Sequence, residues 1–194
     1  MTLQPVSAVE RGMSDISRLP HELNREKRQC KAVIETPKGR RTKFKYENDS
    51  GLFSLSKVLP QGFSFPFDFG FIPSTIGEDG DPLDVVVLMD EPGHVGCLLQ
   101  VRLLGAIKIE QTSKGKKIND PRLIGVPIQS FDFVDIHELA DLRQDLTQQF
   151  AEFLALYNKN SDTQDKVTGT CGPEEAMDLI DEGSRRLKEQ PQGR

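Results

Sequence analysis

Asp79-Gly80-Asp81-Pro82-Leu83-Asp84-Val85-Val86-Val87-Leu88 places three aspartates within six residues and follows them at once with an apolar run. Carboxylates this close repel one another at neutral pH, so the arrangement costs free energy unless a cation or a shared proton relieves it. Gly80 and Pro82 are turn formers between the acids. Asp84 to Met89 reads as a buried strand with the acids at its mouth.

The 194 residues suit one domain of ordinary size with a tail. Hydrophobic residues make up 36% of the chain, enough for one core. No apolar run approaches the roughly 20 residues needed to span a bilayer, so no membrane partner is expected. The first twenty residues lack the basic-then-apolar layout of a signal peptide. A net charge of −5 argues against wrapping nucleic acid. Cys30, Cys97 and Cys171 are odd in number and widely spaced, which suits free thiols in a reducing cytoplasm.

Residues 1–28 are polar and weakly patterned and read as a tail or a short helix laid on the body. The domain proper is expected over 29–190. KAVIETP and TKFKYEN look like strands separated by Pro37 and Gly39, and GLFSLS alternates as a half-buried strand does. In QGFSFPFDFGFIPST, phenylalanines at 63, 65, 67, 69 and 71 recur with period two, broken by Pro66 and Gly70. Core packing of an irregular or edge segment accounts for them. Residues 97–110 make a long strand, QTSKGKKIND a loop and RLIGVPI a short strand. Several short strands imply a barrel or a curled sheet.

The last third reads as helical. Leu146, Phe150, Phe153, Leu154 and Tyr157 form one apolar helix face. A final helix starts at Gly172-Pro173, with acids early and bases late along its dipole.

Three readings of the acidic stretch compete. A turn with solvated carboxylates is the plainest. A calcium loop of the EF-hand type needs glycine at its sixth position and glutamate at its twelfth, where this chain has Asp84 and Asp90. That reading fails. A magnesium site for phosphate chemistry needs a few hard oxygen ligands, with waters and substrate phosphate completing the shell. Asp79 and Asp84 could then share an ion while Asp81 takes a proton from a bound water, as metal-assisted hydrolysis of a phosphoanhydride requires.

Asp79 to Val85 satisfies every position of the signature of the soluble family I inorganic pyrophosphatases, and the chain resembles that family from about Ala32 to Tyr157. AVIETP is similar to its opening strand, with Glu35 at a metal-linked glutamate. TKFKY sets Lys43 at a phosphate-binding lysine, and FPFDFGFIPST resembles the aromatic stretch before the aspartate loop. NDPRLIGVP sets Asp120 at the third metal aspartate with Arg122 two positions on, and ALYN puts Tyr157 at a substrate-binding tyrosine.

The resemblance implies a mainly β, α+β fold: a five-stranded OB-type barrel with two C-terminal helices alongside, assembled as a homo-oligomer, usually a hexamer in bacteria. It implies hydrolysis of pyrophosphate to two phosphates by metal-activated water, with two or more Mg2+ ions. Asp79, Asp84 and Asp120 would hold metal, and Glu35 would reach a further ion through water. Asp81 would be the general base, and Lys43, Lys57, Phe69, Arg122 and Tyr157 would face the substrate. Read from the residues alone, Lys43 and Lys57 equally suit solvated lysines, Tyr157 a helix's apolar face and Arg122 a barrel rim.

The departures from the family pattern lie outside the aspartates. Lys57 stands where the family usually has arginine, losing a bidentate fork for phosphate oxygens. Phe69 stands at a usual tyrosine, Lys45 at a glutamate, Gln111 at an aspartate and Asn158 at a lysine. Lys114, Lys116 and Lys117 could compensate near Asp120. The alternatives are a phosphate- or metal-binding relative with little turnover and a hydrolase for another phosphoanhydride. The complete set of Asp79, Asp81, Asp84 and Asp120 favours the pyrophosphatase.

Overall fold

Nine strands and two helices succeed one another in the computed structural model, which describes residues 15–113, 115–143, 146–158 and 163–190. The strands are β1 (Gln29–Thr36), β2 (Thr42–Glu47), β3 (Leu52–Val58), β4 (Asp68–Phe71), β5 (Asp84–Val87), β6 (Leu98–Ser113), β7 (Lys116–Asn119), β8 (Arg122–Pro127) and β9 (Thr163–Cys171). The helices are α1 (Leu146–Tyr157), ahead of β9, and α2 (Pro173–Glu189), after it.

Pairing runs β1–β4–β5–β8–β6, and β6 pairs again with β1. Five strands therefore close on themselves, and this ring is the expected OB-type barrel. All of its pairings are antiparallel except β5 with β8. β7 and β9 extend the sheet from the far end of β6, and β2 with β3 forms a separate hairpin.

The apolar run after the acids is explained by the two faces of β5. Val85 and Val87 join one cluster with Ile34, Leu103 and Leu123, against Ala176, Met177 and Ile180 of α2. Val86 faces the other way, with Leu104, Ile107 and Ile124, against Phe150 and Leu154 of α1. A strand buried on both faces must be apolar at every position. Each such side chain contributes about 1.5–3 kcal/mol of burial.

The phenylalanines divide as their packing requires. Phe67 and Phe69 stack on Phe150 with centroids 6.5 and 6.1 Å apart, and Phe65 lies against Phe153 and Tyr157. Phe71 packs on Tyr46, while Phe63 remains partly exposed. Between Ile16 and Arg18 a single 3₁₀ turn lies against the body, its Ile16 amide donating to the Tyr46 hydroxyl at 3.0 Å.

Two expectations are corrected. The last third is not wholly helical, because β9 separates α1 from α2 and pairs with β6 from Ala106↔Cys171 to Ser113↔Thr163. Of its residues only Cys171 is buried, so TQDKVTGT carries no apolar alternation to announce a strand. The loop expected at QTSKGKKIND contracts to a turn at Gly115, since β6 runs on to Ser113 and β7 pairs back along it. Lys114 lies outside the described residues.

Gly105 makes the branching of β6 possible. The pairing with β8 shifts register between Leu103 and Gly105. Gly105 has φ +144°, and a Cβ there would stand 2.2 Å from the Cys171 carbonyl oxygen. Gly105→Ala should therefore push β9 off β6 and destabilise the protein by about 2–3 kcal/mol or more. Urea unfolding checks this, and a change below about 0.5 kcal/mol would show that the junction is slack.

Candidate active site

The acidic loop opens on a cleft of about 600 Å³ between the barrel mouth, the β2–β3 hairpin and the end of α1. All ten expected residues line it: Glu35, Lys43, Lys57, Phe69, Asp79, Asp81, Asp84, Asp120, Arg122 and Tyr157. They arrive from several separate pieces of backbone. Glu35 projects from β1, Lys43 from β2, Lys57 from β3 and Phe69 from β4. Asp79 and Asp81 lie in the β4–β5 loop, and Tyr157 ends α1.

The parallel pair of strands sets the centre of the site. Val85 is in register with Leu123, so the residues that begin the two strands, Asp84 and Arg122, stand side by side. Arg122 Nη1 lies 2.9 Å from Asp84 Oδ2, and the same guanidinium bonds both oxygens of Asp120. Arg122 and Asp120 are nearly buried. Burial opposes the Arg122 charge, but Asp84 and Asp120 more than offset this and raise its affinity for its proton. Gln111 Nε2 donates to Asp120 Oδ2 at 3.0 Å.

The other acids feel one another. Asp79 Oδ1 accepts the Asp81 amide at 3.0 Å, which fixes the turn, while Gly80 takes φ +92°. Burial, and then the charges of Asp120, Asp81 and Asp84, push the Asp79 carboxyl up to about 6 despite that amide. Burial likewise raises Asp84, against the pull of Arg122. Burial lifts Glu35 to about 7, although it accepts the Tyr46 amide at 2.8 Å and faces Lys43 and Lys45.

Donors line the cleft as well. Lys57 Nζ sits 3.8 Å from the Tyr157 ring centroid and donates to the Tyr157 carbonyl at 3.0 Å. Lys43 Nζ lies 5.8 Å from the same ring. A cation over an aromatic face is held in place without losing its charge.

Hard carboxylate oxygens of this number suit a divalent cation such as magnesium. Among the described residues, no three acidic, histidine or cysteine side chains are gathered around one point as they stand. The reason is visible: Arg122 draws Asp84 and Asp120 to itself. Lys45 in turn draws Asp81, donating to its two oxygens at 2.9 and 2.8 Å. Burial works against the Lys45 charge, yet its bonds to Asp81 and the charges of Asp81, Glu35 and Glu47 raise it overall.

Two features escaped the sequence reading. The Lys45–Asp81 pair joins residues 36 apart, and nothing local signals it. Asp165 on β9 adds another carboxylate to the cleft; its Oδ2 accepts from Asn158 Nδ2 at 2.7 Å, and its buried Oδ1 has no hydrogen-bond partner among the described residues. Without β9, Asp165 had no address.

Fold and cleft together define an OB-type barrel protein whose mouth is built for a highly charged anion and the cations that accompany it. The family profile described as inorganic pyrophosphatase matches residues 32–188, and the chain belongs to that family. It is 31% identical over 165 residues to an inorganic pyrophosphatase of Geobacillus stearothermophilus, covering 85% of this chain and 98% of the relative. With the inorganic pyrophosphatase of Halalkalibacterium halodurans it shares 32% identity over 163 residues, covering 84% and 98%. The crystal structure of inorganic pyrophosphatase from Thermus thermophilus superposes with a TM-score of 0.80 at 30% identity, over 90% of this chain and 99% of that one.

Glu35 offers a test of the site's electrostatics that needs no substrate. Its folded value of about 7 lies above the ordinary one, so the folded state favours the protonated carboxyl. That stability is present below the unfolded value and is lost as pH rises through about 7. Glu35→Gln keeps an oxygen for the Tyr46 amide and carries no charge. In chelator, wild type should lose on the order of 2–3 kcal/mol relative to Glu35→Gln between about pH 5 and about pH 8. Parallel stability curves for the two proteins would contradict this.

Proposed function

We propose that this protein hydrolyses inorganic pyrophosphate to two phosphates with magnesium. The observation that carries the reading is that Asp79, Asp81, Asp84 and Asp120 share one cleft with Lys43, Lys57 and Arg122.

Asp79, Asp84 and Asp120 would hold metal, competing with Arg122 for two of them, and Glu35 would reach a further ion through water. Bound magnesium supplies Lewis acidity and a water of lowered pKa; two or more ions are expected. Asp81, half exposed on the loop between those ligands, would accept the proton of the attacking water on a carboxylate oxygen. Lys43, Lys57 and Arg122 would bind phosphate oxygens and offset their charge. The Tyr157 hydroxyl would donate to the substrate, and the Phe69 ring, stacked on Phe150, would close the apolar side against water.

The weaker phosphate contacts bear on speed. Lys57 cannot present a bidentate fork, and Phe69 has no hydroxyl. Losing one charge-assisted contact costs roughly 1.5–3 kcal/mol, which is about one to two powers of ten in rate if the contact belongs to the transition state. Turnover slower than that of family members with arginine and tyrosine at these positions is therefore part of the reading.

The same reading takes residues 29–190 as the catalytic domain, a homo-oligomer up to a hexamer as its assembly, and the cytoplasm as its location. Cys30, Cys97 and Cys171 are free thiols, which supports a reducing compartment. Among the described residues no helix is long and apolar enough to cross a membrane.

Phosphate release from pyrophosphate should require Mg2+ and stop with EDTA. Asp81→Asn should lower kcat by about 10² to 10⁴ while leaving metal binding nearly intact, because asparagine cannot accept the proton. Asp84→Ala should weaken both. No release above background with any divalent metal would overturn the activity. Equal loss of metal affinity in the two variants would overturn the division of roles.

A further inference from the structure

Among the described residues lining the cleft, Lys45 is a cation to which the proposed reaction gives no task. It projects from β2, and its Nζ reaches both oxygens of Asp81 at 2.9 and 2.8 Å. One positive centre bonded to both oxygens of a carboxylate is the arrangement a metal ion would otherwise take there. Glu35 and Glu47 also line the cleft, and their charges act on the ammonium together with that of Asp81. The ammonium therefore puts a positive charge on the side of the site where Asp81 must be aimed.

We propose that the Lys45 ammonium replaces one divalent ion on the Asp81 side of the cleft, so that the protein loads one ion fewer than it would with an acid at position 45. The inference rests on the reading that Asp79, Asp84 and Asp120 hold metal. Lys45 is a positioning residue: it fixes the Asp81 carboxylate and supplies a tethered charge that needs no free metal. An ammonium has no vacant coordination positions and cannot bring ligand waters, so it fills the electrostatic role of an ion and none of its chemistry. The ions bound by Asp79, Asp84 and Asp120 remain necessary.

The test is a count of Mn2+ bound per chain, by equilibrium dialysis or by electron paramagnetic resonance of the free ion, with no substrate present. Lys45 is about two-fifths exposed, so substitutions there leave the core alone. Lys45→Glu should bind about one more Mn2+ per chain than wild type, and Lys45→Arg the same number as wild type. Adding Asp81→Asn to Lys45→Glu should abolish the extra ion, which assigns it to Asp81. Should an acid at 45 fail to fold, Lys45→Gln frees Asp81 with the same expected gain. Equal stoichiometry and affinity in wild type, Lys45→Glu and Lys45→Gln would overturn the inference and leave the metal reading standing. A wild type that binds no Mn2+ would overturn both.

Discussion

An excess of negative charge at the mouth of a closed barrel is the constraint on which the rest of the site depends. Among the described residues lining the cleft, eight carboxylates face four basic side chains. Like charges this close raise one another's pKa or recruit cations. Both responses are present. Asp79 and Glu35 sit well above the ordinary carboxylate range, and Arg122 and Lys45 have been drawn onto Asp84, Asp120 and Asp81. Arg122 and Lys45 thus offset part of the excess negative charge of the cleft.

The fold supplies the positions with few moving parts. β5 and β8 are parallel neighbours within an otherwise antiparallel ring, and their first residues are Asp84 and Arg122. The carboxylate and its guanidinium partner thus emerge at one end of a strand pair whose remaining residues, Pro127 apart, are buried. Sites built on strand ends hold their geometry better than sites on loops alone. The β4–β5 loop adds Asp79 and Asp81, pinned by the amide of Asp81 on Asp79. The cleft's apolar wall comes from α1, whose Phe150 and Phe153 hold the aromatic stretch in place.

Much of this was legible in the sequence because its signals are local. Three acids before an unbroken apolar strand announce a buried strand with a charged mouth, and the helix of Leu146 to Tyr157 announces its own face. β9 gave no such sign: its side chains are mostly solvated, and it exists because β6 outruns the barrel and offers an edge to pair. Asp165 was hidden with it. The contact of Lys45 with Asp81 depends on the placement of the hairpin over β1, where Tyr46 donates its amide to Glu35 and Phe44 donates its own to Thr36. Pairings of that range follow from tertiary packing and from no residue pattern. The sequence offered Arg122 as a phosphate ligand or a residue of the barrel rim; its bonds to Asp84 and Asp120 make it part of the protein's internal charge balance as well.

The four aspartates and the basic side chains of the same cleft are proposed to form one site for metal and a phosphate anion. Anomalous diffraction from crystals soaked in Mn2+ and phosphate tests it most directly. Manganese peaks are expected bounded by Asp79, Asp84 and Asp120, with a phosphate between them and Lys43, Lys57 and Arg122. Manganese bound elsewhere, with these aspartates still held by Arg122 and Lys45 and no phosphate in the cleft, would contradict it.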